Sequence, residues 1–377
     1  MSNLLGLNEV ADFIMGQAPH SSTYNESGEG DLLIKAGDFG QLYPEPTTFT
    51  TSPIAFSRLG DVIMCVVGAT SGKVNLGINA SITRSVAALR PKNVTDTKYL
   101  YHLLKGSYQK LNRAATGSAQ GILNKTSLSN FKIPLPPLEE QKKIAAILNA
   151  ADEYRQKTKV LIDKYDQLTQ SLFLEMFGDP VTNPMGWEAK KLGRVHKISS
   201  GGTPSRKNPE YYSNGTIPWV KTGELKGMYA LSPSEYITEA ALNNSSAKLF
   251  PANTLLIAMY GATIGACSIL NIEAATNQAC AALIPTDEAN VLYEYFFFSL
   301  YKNELIKLGV GGAQPNISAG ILRSLNVMYP PLQLQNQFAE RIVQIEQQKQ
   351  QAEASLVKAE ELFSSLLQRA FKGELTS

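Results

Sequence analysis

One short glycine-rich segment has residue types that could bind a phosphate group. Gly68-Ala-Thr-Ser-Gly-Lys73 is one residue shorter than a phosphate-binding loop, and Val74 stands where that loop carries a Ser or Thr for magnesium. A second segment, Gly261-Ala-Thr-Ile-Gly-Ala266, has the same glycines but lacks the lysine. The pattern therefore favours glycine turns between strands over a nucleotide site.

Two further motifs approach those of DNA-modifying enzymes without matching them. Asn208-Pro-Glu-Tyr211 lacks the second proline of the Asn-Pro-Pro-Tyr motif with which amino-methyltransferases hold a flipped adenine. Glu188-Ala-Lys190 and Glu224-Leu-Lys226 are nuclease-like Glu-x-Lys triplets, but neither has the upstream Pro-Asp of a nuclease core. The sequence predicts neither a methyl-transfer centre nor a DNA-cleaving centre in this chain.

The residues that most often perform nucleophilic or metal chemistry are few. Each histidine and each cysteine is isolated in the sequence: His20, His102, His196, Cys65, Cys267 and Cys280. They cannot be assembled into a Ser/His/Asp or Cys/His arrangement, and without a CxxC pair they predict neither a structural zinc site nor a disulfide framework. Cys65 and Cys267 lie in or beside apolar strands and are expected in the core. We expect no catalytic residue, no metal and no cofactor in this chain.

The composition indicates a folded protein with more than one domain. Of 377 residues, 44% are hydrophobic and 18% are charged, which is enough apolar material for cores and too little charge for disorder. At roughly 150 residues per domain, this length suggests two or three domains. The net charge of +2 creates no general basic field. Residues 1–16 lack the basic start of a signal peptide, and the densest apolar run, 293–301, is too short to span a membrane, so we expect a soluble, cytoplasmic protein.

The second half of the sequence repeats the first. Gly117-Ser-Ala-Gln120 recurs as Gly311-Gly-Ala-Gln314, and Pro136-Pro-Leu138 recurs as Pro330-Pro-Leu332, both 194 positions later. Further matches keep the same order at offsets between 185 and 194: Gly16 and Pro19 with Gly201 and Pro204, Lys35-Ala-Gly37 with Lys221-Thr-Gly223, Gln141 with Gln335, and Phe177 with Phe371. A period this long excludes a solenoid and indicates one duplicated module, with small insertions in the surface loops of the second copy.

Each copy consists of a globular part followed by a long helix. Gly and Pro are frequent before the Pro-Pro pairs, among short β-rich runs, but neither residue occurs in 139–177 or 333–372. The sequence therefore predicts an α+β protein with mixed α/β domains at 1–135 and 179–329 and helical segments at 136–178 and 330–377. Gly178 and Gly373 mark the helix ends.

Both helices carry an apolar heptad pattern, which indicates a coiled coil. The predicted seam consists of Ile144, Ile147, Ala151, Tyr154, Leu161, Tyr165, Leu168 and Leu172 in the first helix and of Phe338, Ile342, Ile345, Ala352, Leu356, Ala359, Phe363 and Leu366 in the second. Each helix would be about 60 Å long, which exceeds the diameter of a domain of about 140 residues. This length favours an antiparallel helix pair with one globular part at each end over two helices that pack separately on their own domains.

Basic residues cluster locally although the chain is nearly neutral. Within one stretch that has no carboxylate lie Lys190, Lys191, Arg194, Lys197, Arg206 and Lys207. The stretch is either a solvated face or a patch that contacts phosphates and releases counterions on binding DNA. Since no catalytic centre is predicted, the architecture favours a binding protein with two related globular parts on a helical spacer.

The ordered repeat as a whole resembles the specificity (S) subunit of type I restriction–modification systems. The resembling residues are Gly201-Gly-Thr-Pro-Ser205 with Ile217-Pro-Trp219, the segments Gly117–Gln120 and Gly311–Asn316, and the prolines before Leu138-Glu-Glu-Gln141. The first copy departs from this pattern, because it reads Gly16-Gln-Ala-Pro19 and has no counterpart of Trp219.

The resemblance implies two target-recognition domains, at 1–135 and 179–329, each reading one half of a bipartite site on double-stranded DNA. The two helical segments would pair antiparallel, set the distance between the half-sites and dock two DNA adenine methyltransferase (M) subunits. Restriction (R) subunits would join a restricting complex. S-adenosylmethionine and ATP are expected in those partner subunits and not in this chain.

Residues that differ between the copies are the candidates for reading bases, because the two domains should read different half-sites. Polar side chains expected in loops are Ser21, Ser22, Lys73, Arg84 and Arg113 in the first domain and Arg206, Lys207, Asn277, Gln278 and Asn316 in the second. Arg and Lys can bond guanine, and Asn and Gln can bond adenine, in the major groove; each could instead contact a phosphate or lie on the plain surface. Residues identical between the copies are expected to be scaffold: Gly68, Gly261, Ala119 and Ala313.

Two other functions stay open from the sequence. A coiled-coil adaptor that joins two protein ligands would share the architecture but not a salt-dependent affinity for DNA. A stand-alone DNA-modifying enzyme would transfer methyl groups without partners, which a methylation assay on the purified chain would reveal.

Overall fold

The computed structural model describes residues 4–115, 121–230, 233–310 and 315–375. The chain divides into two compact units: unit 1 comprises Met1–Val160 with Glu353–Ser377, and unit 2 comprises Leu161–Ala352. Each unit contains one globular part and portions of both long helices. Among the described residues, no helix is both long and apolar enough to cross a lipid bilayer.

Unit 1 starts with short strands and continues into helices. Its strands are β1 (Leu4–Gly6), β2 (Ala11–Met15), β3 (Tyr24–Asn25), β4 (Asp31–Ile34), β5 (Phe49–Thr50), β6 (Phe56–Ser57), β7 (Val62–Cys65), β8 (Val74–Leu76), β9 (Ala80–Ile82), β10 (Val86–Pro91) and β11 (Lys132–Pro134). Its helices are α1 (Leu7–Val10), α2 (Thr97–Gly106), α3 (Tyr108–Ala114), α4 (Lys125–Asn130) and the first part of α5 (Leu138–Phe177).

The strands of unit 1 form two main sheets. An antiparallel sheet has the order β2-β10-β7-β8, and a mixed sheet has the order β3-β5-β4-β9-β6, in which β4 and β9 run parallel. Strand β7 is buried on both faces: Val62 and Met64 belong to the core under α2, and Ile63 and Cys65 belong to the core shared with β9. Since side chains of a strand alternate between its faces, this continuous apolar run can serve two cores at once.

Unit 2 repeats most of this order of elements. Its strands are β12 (Ala189–Lys191), β13 (Ile198–Ser200), β14 (Ile217–Val220), β15 (Tyr229–Ala230), β16 (Tyr236–Ile237), β17 (Leu249–Phe250), β18 (Leu255–Ala258), β19 (Cys267–Leu270), β20 (Ala274–Thr276), β21 (Cys280–Leu283) and β22 (Asn326–Met328). Its helices are α6 (Leu192–Val195), α7 (Glu239–Asn243), α8 (Val291–Leu300), α9 (Lys302–Lys307), α10 (Ala319–Ser324) and the first part of α11 (Leu332–Lys372), whose last part belongs to unit 1.

The sheets of unit 2 share the central connectivity of those in unit 1, with β15 added as a parallel strand beside β19. The antiparallel order β13-β21-β18-β19 corresponds to β2-β10-β7-β8, and the parallel pair β14 and β20 corresponds to β4 and β9. The extra residues of the second copy include helix α7, which follows β16. The predicted duplicated α+β fold is confirmed.

Both long helices are continuous over the stretches that lack Gly and Pro. Helix α5 covers Leu138–Phe177 and α11 covers Leu332–Lys372. Each is followed by a glycine in the left-handed region, Gly178 at φ +79° and Gly373 at φ +77°. A glycine adopts this conformation without the strain that a Cβ would add, so it ends a helix cleanly.

A buried glutamine anchors the start of each long helix. The amide nitrogen of Gln141 donates to the carbonyl oxygen of Pro136 at 2.8 Å, and its amide oxygen accepts from the backbone N–H of Asp96, the N-cap residue of α2, at 2.8 Å. Gln335 makes the equivalent bonds to Pro330 at 2.8 Å and to the N-cap residue of α8 at 2.9 Å. These matched residues of the repeat therefore join each long helix to its own globular part.

In unit 1 the portions of α5 and α11 lie side by side. Lys159 Nζ is 2.9 Å from Glu360 Oε1, and the guanidinium carbon of Arg155 is 4.5 Å from the ring centroid of Phe363. Lys159 contacts Glu360, whereas the earlier Arg155 contacts the later Phe363, so the two helix portions run antiparallel, as predicted.

In unit 2 the remaining portions pair in the same sense. Lys349 Nζ is 2.5 Å from Asp166 Oδ1, and the ring centroids of Phe173 and Phe338 are 5.6 Å apart. The rings of Phe173 and Tyr293 stack at 5.5 Å, so the helix pair also packs against α8.

The seam differs from the predicted one in half of the α5 positions. Ile144, Ala151, Tyr165 and Leu172 are buried or half-buried, but the second predicted column is 39 to 55% exposed: Ile147, Tyr154, Leu161 and Leu168. The prediction of these four positions is wrong, and the column one residue later is turned inward instead: Leu148, Arg155, Ile162 and Thr169. The eight predicted positions of α11 are all buried or half-buried.

The polarity of the inward column explains this difference. Arg155 Nη2 donates to Asp152 Oδ1 at 2.5 Å, and the Thr169 hydroxyl donates to the carbonyl oxygen of Asp166 at 2.8 Å. Hydrogen-bonded polar side chains can be buried at moderate cost. A pattern based on hydrophobicity alone therefore selects the wrong one of two neighbouring columns.

Candidate nucleic-acid interface

The first loop of each globular part leaves its sheet at a glycine that has no room for a side chain. Loop 1 (residues 16–23) follows β2, and loop 2 (residues 201–208) follows β13. A Cβ on Gly16 would lie 2.1 Å from the carbonyl oxygen of Thr83, and a Cβ on Gly201 would lie 2.1 Å from that of Thr276. The two loops therefore start in the same way on the same scaffold.

A tyrosine fixes the path of each loop. The Tyr24 hydroxyl donates to the carbonyl oxygen of Pro19 at 3.2 Å, and the Tyr212 hydroxyl donates to that of Pro204 at 2.6 Å. Both prolines stand three residues after the starting glycine. Loops 1 and 2 are thus equivalent in their support as well as in their origin.

A tryptophan gives loop 2 a second anchor that loop 1 lacks. Trp219 Nε1 donates to the carbonyl oxygen of Gly202 at 3.0 Å. Trp219 pairs with Ala275 across the parallel strands, which is the place that Leu33 takes opposite Ser81 in unit 1. An aliphatic side chain cannot donate this hydrogen bond, so the support of loop 1 differs here.

A lysine occupies the same place in both units. Lys35 follows β4 and Lys221 follows β14. The backbone N–H of each donates to an acidic side chain three residues later, Asp38 at 2.7 Å and Glu224 at 2.8 Å. The identical turn holds the two lysine stems in equivalent positions.

The partner of this lysine differs between the units. The N–H of Leu33 donates to the carbonyl oxygen of Thr48 at 2.8 Å, and that of Trp219 donates to Glu235 at 3.0 Å, which makes Thr48 and Glu235 equivalent positions. The lysine ammonium donates to the Thr48 hydroxyl in unit 1 at 2.8 Å and to Glu235 Oε1 in unit 2 at 2.6 Å. One position of a shared scaffold thus carries a hydroxyl in one unit and a carboxylate in the other.

Arg206 in loop 2 is held between a carboxylate and two aromatic rings. Its Nη2 is 2.5 Å from Glu235 Oε2, and its guanidinium carbon is 4.3 Å from the ring centroid of Tyr212 and 5.4 Å from that of Trp219. The hydrogen bond from Lys221, with the one from Arg206, holds the pKa of Glu235 below its usual value, so the carboxylate stays ionised. The Arg206 side chain is 56% exposed, and an oriented guanidinium is presented to solvent.

The turn after the inner parallel strand supplies two further predicted residues. Arg84 lies just after β9, and Gln278 lies just after β20. In each unit, the N–H of the residue that precedes it donates to the carbonyl oxygen of the last residue of the neighbouring parallel strand at 3.1 Å. Arg84 and Gln278 are both exposed, and the side chain of Gln278 hydrogen-bonds that of Thr203 in loop 2. Asn277 is half-buried, and its Oδ1 is buried with no hydrogen-bond partner among the described residues.

The remaining candidates of the first domain lie in three places. Ser21 and Ser22 are exposed in the short 3₁₀ turn of loop 1. Lys73 Nζ donates to the carbonyl oxygen of Phe39 at 2.7 Å, so its charge is tied to the protein surface. Arg113 is exposed near the end of α3.

The basic residues of the second domain form two groups along the chain. Lys190, Lys191 and Arg194 lie on β12 and α6, where Lys191 and Arg194 are exposed and Lys190 Nζ is 3.8 Å from Glu288 Oε2. The other two candidates of the stretch, Arg206 and the exposed Lys207, belong to loop 2. The strand β13 separates the two groups along the chain.

The backbone conformation of the turns that both copies share explains why they contain glycine. Gly68 has φ +85° and Gly261 has φ +62°, values that favour glycine. Asn316 is exposed and forms isolated backbone bridges beside the turn at Gly261. Ala119 and Ala313 lie outside the described residues.

Four residues of this interface are missing from the sequence-based candidates: Lys35, Thr48, Lys221 and Glu235. The lysines are visible as a repeat match, but identity between the copies predicts scaffold. Glu235 is acidic, and its segment lies where the offset between the copies changes, so no sequence match marks it. The feature that could have indicated the site is the lysine that both copies share, because it contacts a position at which the two copies differ.

The described residues contain no group of three or more His, Cys, Asp and Glu side chains that could hold a metal ion. All three cysteines are buried and free of disulfides. Burial raises the pKa of Cys65 to about 11 and that of Cys280 to about 12. Cys65 and Cys267 are core residues, as predicted.

Comparison with known proteins agrees with this duplicated architecture. The type I restriction modification DNA specificity domain matches residues 5–164 and 184–358. Over 257 residues the chain is 28% identical to the EcoR124I/EcoR124II specificity subunit of Escherichia coli, with 63% of this chain and 62% of that protein covered. Over 176 residues it is 34% identical to the putative MjaX specificity subunit of Methanocaldococcus jannaschii, with 45% and 41% covered. The matches thus span less than two thirds of either relative.

A solved structure shares the fold over nearly the whole chain. The crystal structure of the type I restriction-modification S subunit from M. genitalium aligns with a TM-score of 0.65 at 17% identity, covering 98% of this chain and 96% of that one. The two matched family segments coincide with the two copies of the repeat. The chain belongs to the family of type I restriction–modification DNA specificity proteins.

Proposed function

We propose that this chain reads DNA sequence for a type I restriction–modification complex, with each globular part reading one half of a bipartite site. The observation that carries this proposal is the equivalence of loops 1 and 2. Both have the same glycine start, tyrosine anchor and supporting lysine, but they present different polar side chains. A duplicated protein that reads two different half-sites needs the same backbone support in both copies and different polar side chains presented on it.

The exposed side chains on this support suit the major groove. Arg206 offers a planar fork of N–H donors that fits O6 and N7 of guanine, and Gln278 can bond N6 and N7 of adenine. In unit 1, Arg84 takes the place of Gln278, and Ser21 stands where Arg206 stands relative to the loop proline. The cations on β12 and α6 suit phosphates, which position a protein on DNA without reading sequence.

The long helices offer surfaces for protein partners. Exposed apolar side chains on α5 include Ile147, Tyr154, Leu161 and Leu168, and those on α11 include Val343, Val357 and Leu362. The four on α5 recur every seven residues and so share one helix face, and exposed apolar faces of this kind favour docking of other proteins. We expect two adenine methyltransferase subunits to dock on the helices, joined by restriction subunits in a restricting complex.

In this proposal the chemistry belongs to the partner subunits. Methyl transfer would use S-adenosylmethionine and restriction would use ATP, both bound outside this chain. The methyltransferase-like segment Asn208–Tyr211 supports this division, because Asn208 Oδ1 accepts from the N–H of Glu210 at 3.2 Å and caps the 3₁₀ turn Pro209–Tyr211. The asparagine that would hold an adenine in an enzyme is a turn residue here.

Co-expression tests the proposal. The chain and its cognate methyltransferase subunits are produced together in a host without adenine methylation, and methylated adenines are mapped across the genome. We expect one bipartite motif to be methylated only when both components are present. Methyl transfer by the purified chain alone, or methylation by the complex without a bipartite motif, would contradict the proposal.

A further inference from the structure

Contacts within unit 2 hold both the backbone and the carboxylate of Glu235 without any DNA. Its backbone carbonyl accepts from Trp219 at 3.0 Å, and it directly precedes β16, whose Tyr236 pairs with Pro218. Each carboxylate oxygen has its own cation, because Lys221 Nζ is 2.6 Å from Oε1 and Arg206 Nη2 is 2.5 Å from Oε2. The carboxylate therefore connects a scaffold lysine to a loop arginine.

This connection fixes the direction of the Arg206 guanidinium. The ion pair engages Nη2, and the ring of Tyr212 supports the guanidinium face at 4.3 Å. Tyr212 is itself held by the carbonyl oxygen of Pro204 in the same loop. A guanidinium has five N–H donors in one plane, two of them on each Nη, so the second N–H of Nη2 can still form a fork with Nε or Nη1 toward a base edge while the first is held by Glu235.

The equivalent place in unit 1 has different chemistry. Thr48 is neutral and accepts from Lys35 Nζ, which also lies 5.4 Å from the ring centroid of Tyr24. Ser21 stands two residues after Pro19, as Arg206 stands two residues after Pro204. Unit 1 therefore combines the same lysine and tyrosine with neither the carboxylate nor the arginine.

We infer that Glu235 is a positioning residue that orients Arg206 to read one guanine in the half-site of unit 2, and that position 48 is the corresponding specificity position of unit 1. This inference rests on the proposed function. To that function it adds the residue that reads the base, Arg206, the residue that orients it, Glu235, and the base itself, a guanine.

Point variants in the assembled methyltransferase complex test the inference. Methylation rates are measured on oligonucleotides in which each base pair of both half-sites is changed in turn. Arg206→Ser is expected to lower discrimination at one guanine roughly 5- to 150-fold, the range for loss of a bidentate contact. Glu235→Gln is expected to lower discrimination at the same guanine, and the double variant is expected to equal Arg206→Ser because the residues act as one unit.

Matched controls separate positioning from charge. Glu210→Gln removes an exposed carboxylate from the neighbouring turn and is expected to leave discrimination unchanged. Arg206→Lys keeps the charge but loses the fork, so it should lose discrimination while the salt dependence of DNA affinity stays the same. Tryptophan fluorescence shows whether each variant is folded, and if Glu235→Gln fails to fold, Glu235→Asp, which keeps the charge but shortens its reach to Arg206, replaces it with the same expected loss of discrimination.

Three results would overturn the inference. Glu235→Gln could fold and keep the discrimination of the parent protein. Arg206→Ser could weaken binding equally for all sequences with a smaller salt slope, as loss of a phosphate contact would. The altered base pair could lie in the first half-site. Failure of the proposed function would look different, because the unsubstituted complex itself would then methylate no bipartite motif.

Discussion

His196 Nε2 lies 2.6 Å from Glu294 Oε1 in unit 2, and both side chains are 2% exposed. The Tyr329 hydroxyl donates to the same carboxylate oxygen at 3.1 Å, and His196 Nδ1 donates to the carbonyl oxygen of Ile284 at 2.8 Å. Glu288 adds a further negative charge nearby. This buried network joins the residue after α6 to helix α8.

The network predicts how the stability of unit 2 depends on pH. Burial lowers the pKa of His196, but the hydrogen bond and charge of Glu294 outweigh burial and hold the pKa above its usual value of 6.5. The stabilisation is complete below that usual value and is lost as pH rises through the raised pKa of the folded state. We therefore expect the free energy of unfolding of unit 2 to fall across this window.

Tryptophan fluorescence during urea unfolding can measure this dependence. The two tryptophans of the chain, Trp187 and Trp219, both lie in unit 2, so the signal reports on that unit. Glu294→Gln removes the charge that raises the pKa of His196 and should abolish the decline. A parent protein without a decline between about pH 6 and about pH 9, or a variant with an equal decline, would contradict the prediction.

A second prediction concerns an ion-pair network in unit 1. Asp152 accepts from Lys105 Nζ at 2.9 Å and from Arg155 Nη2 at 2.5 Å, and its side chain is 12% exposed. Burial raises the pKa of Asp152, but the hydrogen bond and charge of Lys105 outweigh burial and keep the pKa low. Lys105→Met removes one partner of this carboxylate and should lower the stability of unit 1 by about 1–3 kcal/mol.

Native-state hydrogen exchange of α2 and α3 measures this loss. Lys142→Met is the matched control, because its pair with Glu139 is exposed and contributes little. Equal exchange rates in the two variants would show that the buried network does not stabilise unit 1.

A third prediction tests the tight start of loop 2. A Cβ on Gly201 would meet the backbone of Thr276 at 2.1 Å, whereas a Cβ on Gly223 would meet nothing within 4 Å. Gly201→Ala should therefore lower the stability of unit 2 by about 1–3 kcal/mol, and Gly223→Ala should leave it nearly unchanged. Urea unfolding followed by tryptophan fluorescence compares them, and equal midpoints would mean that loop 2 can shift to accept a side chain.

The spacing between half-sites gives a fourth prediction. Inserting four residues after Thr158 lengthens α5 by about 6 Å, roughly one helical turn, and a four-residue insertion is a stutter that a coiled coil can absorb. Since each base pair of DNA rises about 3.4 Å, we expect the spacer to lengthen by about one or two base pairs while both half-sites stay the same. Methylome mapping reads the spacer directly, and an active variant with an unchanged spacer would show that the helices do not set it.

The fold follows from sequence features whose physical meaning is direct. Gly and Pro are absent over two stretches of about 40 residues, and each stretch forms one helix because nothing in it breaks the backbone hydrogen bonds. The matched glutamines Gln141 and Gln335 mark equivalent helix starts because both are buried and bonded. Repetition with a regular offset therefore predicts the architecture well.

The seam and the interface depend on contacts that sequence patterns do not record. Ile147 and Leu148 are both apolar, so hydrophobicity does not distinguish their two columns, and the column of Leu148 continues with the half-buried Arg155 and the buried Thr169. An acidic residue is not expected on a surface proposed to read DNA, and the role proposed for Glu235 depends on an arginine 29 positions away in the sequence. Side-chain contacts of this kind depend on the paths of the loops. The identities of neighbouring residues in the sequence do not determine those paths.

Exchange of residues 1–135 for the same segment of another specificity subunit, followed by methylome mapping of the assembled complex, tests the central claim most directly. We predict that the first half-site is replaced by that of the donor, while the second half-site and the spacer stay the same. An active hybrid in which both half-sites change would contradict independent reading by the two globular parts.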